Sequence, residues 1–219
     1  MNPDLKAYIE QEIIPRYETF DAAHGPGHVR TVIARSRALA AHYDADPAMV
    51  YVIAAYHDLG LVDGRERHHL RSGEILRADP VLRGYFTEEQ IETMARAAED
   101  HRASAEHEPR SLYGRIVAEA DRCIDVATVL RRTVQYGLAH CPALTREEHF
   151  DRCRDHLRRK YGDGGYLRLW IAESDNARRL EELRATIRDD ETLRRLFDEH
   201  YDAEKAAQAQ SHTIVPCGK

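Results

Sequence analysis

Residues 50–60 read VYVIAAYHDLG, an apolar run that ends in a His-Asp pair. At helical spacing Ile53 and His57 share one face, which predicts that the imidazole points inward with the apolar residues. An ionised carboxylate at Asp58 would be costly here without a partner, because an apolar environment solvates a charge poorly. A His-Asp dipeptide alone also fits a solvated helix C-terminus. The pair becomes informative only if other segments supply further ligands for a divalent cation.

Three other segments place a histidine or an aspartate on the apolar stripe of a predicted helix. His28 lies in a helix that begins near Pro26, and His101 continues the stripe of a helix that begins after Thr87. Asp121 falls at the buried spacing of a further helix. A hydrogen-bonded core histidine or a capped aspartate would account for any one of these residues. Their joint occurrence favours a convergent site, because buried carboxylates need a partner or a metal.

At these motifs the chain resembles the HD superfamily of metal-dependent phosphohydrolases. The family pattern is a first histidine on a helix, a His-Asp pair that closes a later helix, and a distant aspartate on a further helix. The residues that match it in order are His28, His57, Asp58 and Asp121. The stretches DAAHGPGHVRTV, AAYHDLG and RIVAEADRCID, all within residues 18–130, are similar to those of small bacterial stand-alone HD hydrolases. The resemblance implies an all-α, HD-domain-like helical bundle.

The donor set itself indicates the chemistry. Two imidazoles and two carboxylates suit Mn²⁺, Fe²⁺, Co²⁺, Ni²⁺ or Zn²⁺ better than Mg²⁺ or Ca²⁺, which prefer oxygen ligands. Four protein ligands on an octahedral ion leave two positions for water and substrate, so the ion can polarise a phosphoryl oxygen and lower the pKa of the attacking water. We therefore expect hydrolysis of a phosphoester or phosphoanhydride in a small metabolite or nucleotide, with Asp58 and His101 as catalytic groups.

A second metal ion is the main open question in this interpretation. Some HD families hold another ion with two histidines between the His-Asp pair and the last aspartate. His101 is one candidate here, and His68 or His69 is the other, while His24 is a further candidate for the second ion or the pocket. The spacing of ten residues from Asp58 to His68 is short for a two-metal site. It favours one ion, with His101 as a nearby acid, base or hydrogen-bonding partner.

Contacts to the substrate are weakly encoded. Arg65 and Arg71 follow the His-Asp pair closely, Arg122 adjoins Asp121, and Lys160 lies in the basic run LRRKYG. These four are our candidates for substrate binding, because arginine and lysine suit phosphate contacts. Each also fits a solvated or salt-bridged surface position.

Composition limits the partners. The chain has 219 residues and a formal net charge of −6, which argues against a nucleic-acid groove. No apolar run reaches 18 residues and the N-terminus lacks a signal-peptide core, so we expect a cytoplasmic protein without a membrane partner. A homodimer is compatible with the sequence. Four cysteines without CxxC spacing are expected to be reduced thiols, at positions 123, 141, 153 and 217.

Nearly every segment is predicted to be helical. We expect a metal-binding core over 1–139 and a helical extension over 140–219, packed on the core and ending in a frayed tail. The GDGG sequence at 162–165 is predicted to be a turn between two helices, since it lacks the residues of a phosphate-binding loop. The predicted helices span about 3–19, 26–43, 47–58, 69–78, 87–103, 111–123, 125–138, 167–188 and 190–207.

Two other functions remain compatible with these motifs. An HD-type di-iron oxygenase would use His101 and His68 or His69 as true ligands, and it would depend on iron and oxygen. A non-catalytic helical binding module would keep the metal for structure only, because a fold alone does not determine function.

Overall fold

The computed structural model describes residues 1–21, 23–105 and 107–213. These residues contain no β-strand, which confirms the all-α prediction. The α-helices of the described residues are α1 (Pro3–Tyr8), α2 (Pro26–Ala40), α3 (Pro47–Tyr56), α4 (His68–Ala78), α5 (Glu88–Glu99), α6 (Leu112–Asp121), α7 (Val126–His140), α8 (Arg146–Tyr161), α9 (Asn176–Arg188) and α10 (Asp190–Thr213).

The chain forms two compact units. The first comprises Met1–Arg122 together with Arg168–Ser174, and the second comprises Cys123–Leu167 together with the chain from Asp175 onward. Helix α7, all but the last residue of which falls in the predicted core region 1–139, therefore belongs to the second unit. All the predicted metal ligands belong to the first.

The first unit is organised around α3. Every residue of this helix from Met49 to Tyr56 is buried, as expected for a helix that is apolar on all sides. Asp46 caps its N-terminus by accepting a 2.7 Å hydrogen bond from the backbone N–H of Ala48. Helices α2, α5 and α6 pack around α3. The His-Asp pair at the end of α3 is thereby delivered to the interior of the unit.

The predicted helix over 3–19 is not a single α-helix. After α1 the chain continues as a π-helix over Ile9–Ile13 and a 3₁₀-helix over Ile14–Thr19. Pro15 explains the change, because proline has no N–H to donate and its ring clashes with the carbonyl four residues earlier. The apolar stripe nevertheless continues to Tyr17, which is fully buried.

The prediction of a helix over 167–188 is wrong at its N-terminal end. Residues 168–174 are not helical, and α9 begins only at Asn176. Buried Glu119 accepts a 2.7 Å hydrogen bond from the backbone N–H of Trp170 and another from the hydroxyl of Ser174. A buried carboxylate needs such donors, and they are supplied by a segment that is therefore held in a non-helical conformation.

The second unit is a helical bundle of α7, α8, α9 and α10. The rings of Phe150 and Phe197 meet edge to face at 5.3 Å between centroids in its apolar interior. The GDGG segment forms a turn after α8, with Gly164 at φ +79°. It does not join two helices directly, because the non-helical residues follow it. Helix α10 extends to Thr213 rather than ending near 207.

Three further predictions concern the C-terminal tail, the cysteines and membrane-spanning helices. The last part of the predicted frayed tail, residues 214–219, lies outside the described residues, and so does Cys217. Cys123, Cys141 and Cys153 are free thiols. Among the described residues, no helix combines the length and the apolar character that a membrane span requires.

Two glycines return the chain to the metal ligands after Asp58. A 3₁₀-helix over Leu59–Asp63 lies directly on α4, and Gly60 donates a 2.9 Å hydrogen bond to the hydroxyl of Ser72. A Cβ atom at Gly60 would lie 2.0 Å from the carbonyl oxygen of His68. Gly64 then adopts a φ of +97°, which other residues rarely tolerate. This close approach brings His68 back towards Asp58.

We predict that Gly60→Ala destabilises the protein by about 1–3 kcal/mol, the usual cost of forcing an extra methyl group into a packed contact. The free energy of unfolding from denaturant titration measures it. Gly27→Ala is the matched control, because a Cβ there meets nothing within 4 Å. It should be neutral or stabilising by up to about 1 kcal/mol. Equal stability of both variants would contradict the close approach at Gly60.

Candidate metal centre

The four predicted metal ligands converge on one point of the first unit. The Nε2 atom of His28 lies 3.3 Å from Nε2 of His57, 3.4 Å from Oδ2 of Asp58 and 3.2 Å from Oδ1 of Asp121. Nε2 of His57 lies 3.1 Å from Oδ2 of Asp58 and 3.8 Å from Oδ1 of Asp121. Ligand atoms about 2.0–2.2 Å from a shared ion are separated by about 3 Å at right angles. The spacing therefore fits a transition-metal ion.

A second group of donors meets the other oxygen of Asp58. Nε2 of His68 lies 3.6 Å from Oδ1 of Asp58, and Nε2 of His101 lies 3.3 Å from the same atom. The two Nε2 atoms are 3.1 Å apart. The described residues thus contain two ligand triads that share Asp58. The ten-residue spacing from Asp58 does not keep His68 away, because the turns at Gly60 and Gly64 fold the chain back.

Backbone carbonyls orient three of the histidines. Each donates a hydrogen bond from Nδ1 to the carbonyl oxygen three residues earlier, which leaves the lone pair on Nε2 directed at the cluster. These bonds join His57 to Ala54 at 2.8 Å, His68 to Arg65 at 2.7 Å and His101 to Ala98 at 2.6 Å. The turn at the end of each helix or loop therefore fixes the tautomer that metal binding needs.

The pKa shifts of the clustered side chains indicate a site suited to a cation. Burial by itself would lower the pKa of His28, but hydrogen bonds with Asp121 and Asp58 raise it to about 10. Burial would raise the pKa of Asp58, yet the neighbouring charge of His57 and hydrogen bonds from His101 and His28 hold it well below its ordinary value. In the absence of a metal, a proton on His28 takes part of the place that the cation would occupy.

The pKa values of the two histidines in the second triad are shifted in opposite directions. Burial, followed by repulsion from His101, lowers the pKa of His68 to about 4. Burial alone would also lower the pKa of His101, but its hydrogen bond with Asp58 raises it. His68 is therefore neutral near pH 7, which is the form that binds metals.

Tyr17 holds the His-Asp pair in place, and it was not among the predicted site residues. Its buried hydroxyl donates a 2.9 Å hydrogen bond to the carbonyl of Ala55 and accepts one of 3.3 Å from the backbone N–H of Asp58. The sequence does contain a signal for this role. A tyrosine on the apolar stripe of the first helix needs a partner for its hydroxyl.

Two arginines donate hydrogen bonds to backbone carbonyls at Asp121's neighbours and at His101. Arg35 donates to the carbonyl oxygens of Ala120, at 3.3 Å, and Arg122, at 3.0 Å, so it fixes the chain on both sides of Asp121. Arg122 is buried and donates a 2.9 Å hydrogen bond to the carbonyl of His101. The structure places the guanidinium of Arg122, a predicted substrate contact, on the backbone carbonyl of His101, where it can position that ligand. Arg35 carries no sequence signal that would reveal its role.

The other predicted substrate residues lie outside the two triads. Arg71 pairs with Asp63 at 2.6 Å and Glu74 at 3.0 Å, so its charge is compensated at the surface. Lys160 belongs to the second unit, where its ammonium lies 5.0 Å from the centre of the Tyr161 ring.

Arg65 and the remaining histidines border the centre. Arg65 is exposed and lies 3.5 Å from Asp21 and 3.3 Å from Nε2 of His24. His24 also bonds Asp21 through Nδ1 at 2.7 Å, which leaves both of its nitrogens engaged outside the triads. His69 belongs to neither triad and lines a neighbouring pocket, although its ring centre is 5.7 Å from that of His68.

Comparison with known families agrees with this geometry. The family model described as the HD domain matches residues 27–124. The chain contains an HD domain. The matched segment includes all six converging side chains: His28, His57, Asp58, His68, His101 and Asp121. The presence of an HD domain indicates membership of a superfamily of metal-dependent phosphohydrolases. No curated protein and no solved structure matches the chain in the corresponding comparisons.

We predict that Tyr17→Phe weakens Mn²⁺ binding to the HD domain about ten-fold, because groups that orient metal ligands typically contribute 10- to 100-fold to affinity. Isothermal titration calorimetry measures the dissociation constant. Tyr51→Phe is the control, since Tyr51 lies on α3 and its hydroxyl bonds Glu10 at 3.0 Å. That variant should keep the wild-type affinity. Unchanged affinity in Tyr17→Phe would remove the positioning role from Tyr17.

Proposed function

We propose that this HD domain hydrolyses a phosphoester or phosphoanhydride of a small metabolite or nucleotide, using two divalent transition-metal ions that share Asp58. One observation carries the proposal. The two oxygens of the Asp58 carboxylate face different pairs of imidazole nitrogens, His28 with His57 on one side and His68 with His101 on the other. A carboxylate between two such pairs is suited to bridge two ions.

The donor set supports particular metals. Four imidazoles and two carboxylates give a mixed nitrogen and oxygen site, which suits Mn²⁺, Fe²⁺, Co²⁺, Ni²⁺ or Zn²⁺ and disfavours Mg²⁺ and Ca²⁺. When bound, such ions act as Lewis acids on a phosphoryl oxygen and lower the pKa of the attacking water.

The side chains of the cluster differ in their exposure to solvent. His57 and His101 are buried and hold the inner side of the cluster. The side chains of His28, His68 and Asp121 are 11%, 15% and 23% exposed, so the cluster opens to solvent on their side. A phosphoryl group would enter there and meet Asp121 at the rim.

A ligand role for His101 has better support than the acid–base role expected from sequence. Its Nδ1 donates to the carbonyl of Ala98, and its Nε2 lies in the triad with Asp58 and His68. Neither nitrogen is left to transfer a proton to a substrate.

The same geometry supports a second candidate, an HD-type di-iron oxygenase. That function would require His68 and His101 as ligands of a second ion, and both lie within 3.6 Å of Asp58. Such an enzyme would contain iron as isolated and consume oxygen, whereas a phosphohydrolase would release inorganic phosphate without oxygen.

We predict about two metal ions per wild-type chain and release of inorganic phosphate from a panel of nucleotides and sugar phosphates with Mn²⁺, Co²⁺ or Ni²⁺. His101→Ala should retain about one ion and lose more than about 100-fold in rate, since loss of a group that merely supports a metal ligand already costs 10- to 100-fold. Asp58→Ala should lose both ions. Elemental analysis and phosphate release are the measurements.

His42→Ala is the matched control, because His42 is an exposed histidine of the same unit. It should keep the metal content and the rate. Two ions without turnover of any phosphorylated compound would overturn the hydrolase and favour a structural metal. Iron with oxygen-dependent turnover would favour the oxygenase. One ion in both wild type and His101→Ala would overturn the second metal position.

A further inference from the structure

A pocket of about 490 Å³ adjoins the second triad. It is lined by His69, Glu99, Arg102, His107, Glu108 and Arg110, among other residues. His69 and Arg102 directly follow the triad residues His68 and His101 in the chain. The ring centres of His68 and His69 are 5.7 Å apart. The volume suits a small organic molecule, and two of the lining residues are chain neighbours of metal-ligand candidates.

The acidic residues of the pocket are already compensated. Glu99 pairs with Arg77 at 2.6 Å and with Arg110 at 2.6 Å, and Arg110 also holds buried Asp100 at 2.8 Å. Glu108 lies 2.8 Å from Arg115. The carboxylates and Arg110 therefore cancel as ion pairs and leave little net charge for a ligand.

Arg102 is different from the other charged residues of the lining. Among residues 1–21, 23–105 and 107–213, its one hydrogen bond is a 2.8 Å contact from Nη1 to the backbone carbonyl of Glu66, and no carboxylate pairs with it. A guanidinium offers five N–H donors in a planar fork that matches a carboxylate or phosphate. Its bond to Glu66 holds the fork in place and leaves the other donors for an anion.

His69 adds a neutral donor to the same lining. Its Nδ1 is buried without a hydrogen-bond partner among the described residues. Buried N–H groups without a partner are rarer in folded proteins than buried acceptors without one, so we place the proton on Nε2. The pocket thus combines one uncompensated cation with one N–H donor.

We propose that this pocket is an anion-binding subsite in which Arg102 recognises a second anionic group, a carboxylate or a phosphate, on the leaving group of the substrate. The proposal rests on the phosphohydrolase function proposed above and narrows its substrate class. A phosphorylated compound with a second negative charge would place its reacting phosphoryl group at the metal ions and the other anion at Arg102. A monoester with an uncharged leaving group would use only the metal ions.

The test compares two matched substrates on the Mn²⁺-loaded protein, phenyl phosphate and 4-carboxyphenyl phosphate, with the 3-carboxy isomer to sample a second distance. The wild type should have a lower KM for at least one carboxylated compound. Arg102→Gln should raise that KM about ten-fold or more, the value of a hydrogen bond to a charged group, and should leave phenyl phosphate unchanged. Arg96→Gln is the control, because Arg96 is exposed on α5, the helix that ends shortly before Arg102, pairs with Glu92 and lies outside the lining.

Binding of phosphonate analogues separates this proposal from the proposed function. Phenylphosphonate and the corresponding carboxyphenylphosphonates are not hydrolysed, so calorimetry reports their affinity whether or not the protein is a phosphohydrolase. A carboxylated analogue could bind more tightly in a way that depends on Arg102 while no phosphate compound is hydrolysed. That result would overturn the proposed function and support the subsite. Equal effects of Arg102→Gln on charged and uncharged compounds, or no effect on either, would overturn the subsite.

Discussion

The carboxylate of Asp58 is a charge that the helical core cannot hold alone. It is almost fully buried at the end of an apolar helix, where desolvation strongly disfavours an unpaired anion. Four imidazole nitrogens surround its two oxygens within 3.1–3.6 Å. Those histidines come from different parts of the chain, so the first unit must fold correctly for the charge to be compensated. Binding of a metal at this cluster would therefore be coupled to the folding of the unit.

The surrounding structure serves to keep those donors in place. Tyr17 bonds the backbone on both sides of His57, and Arg35 bonds it on both sides of Asp121. Close contact at Gly60 returns the chain to the centre. None of these groups binds the ion, yet each fixes a backbone segment that carries a ligand. Arg102 directly follows the triad residue His101 after the end of α5. It belongs to neither triad and lines the pocket beside the second one.

Periodicity in the sequence predicts much of this arrangement. The all-α fold is confirmed, and the stripes that carry His28, His57, Asp121 and His101 do meet in space, because helical spacing determines which face is buried. The position of His68 could not be predicted, since it depends on a left-handed glycine and a close helix contact rather than on a period. The non-helical residues 168–174 were missed for a related reason. Their backbone satisfies buried Glu119, a long-range need that local propensity does not record.

Anomalous diffraction from crystals grown with Mn²⁺ tests the shared carboxylate most directly. The account predicts one manganese peak among His28, His57, Asp58 and Asp121, and a second among Asp58, His68 and His101. Each oxygen of Asp58 should face one peak. A single peak at the first triad, with His68 and His101 hydrogen-bonded to Asp58, would contradict the two-ion centre, and the absence of both peaks would contradict the metal site itself.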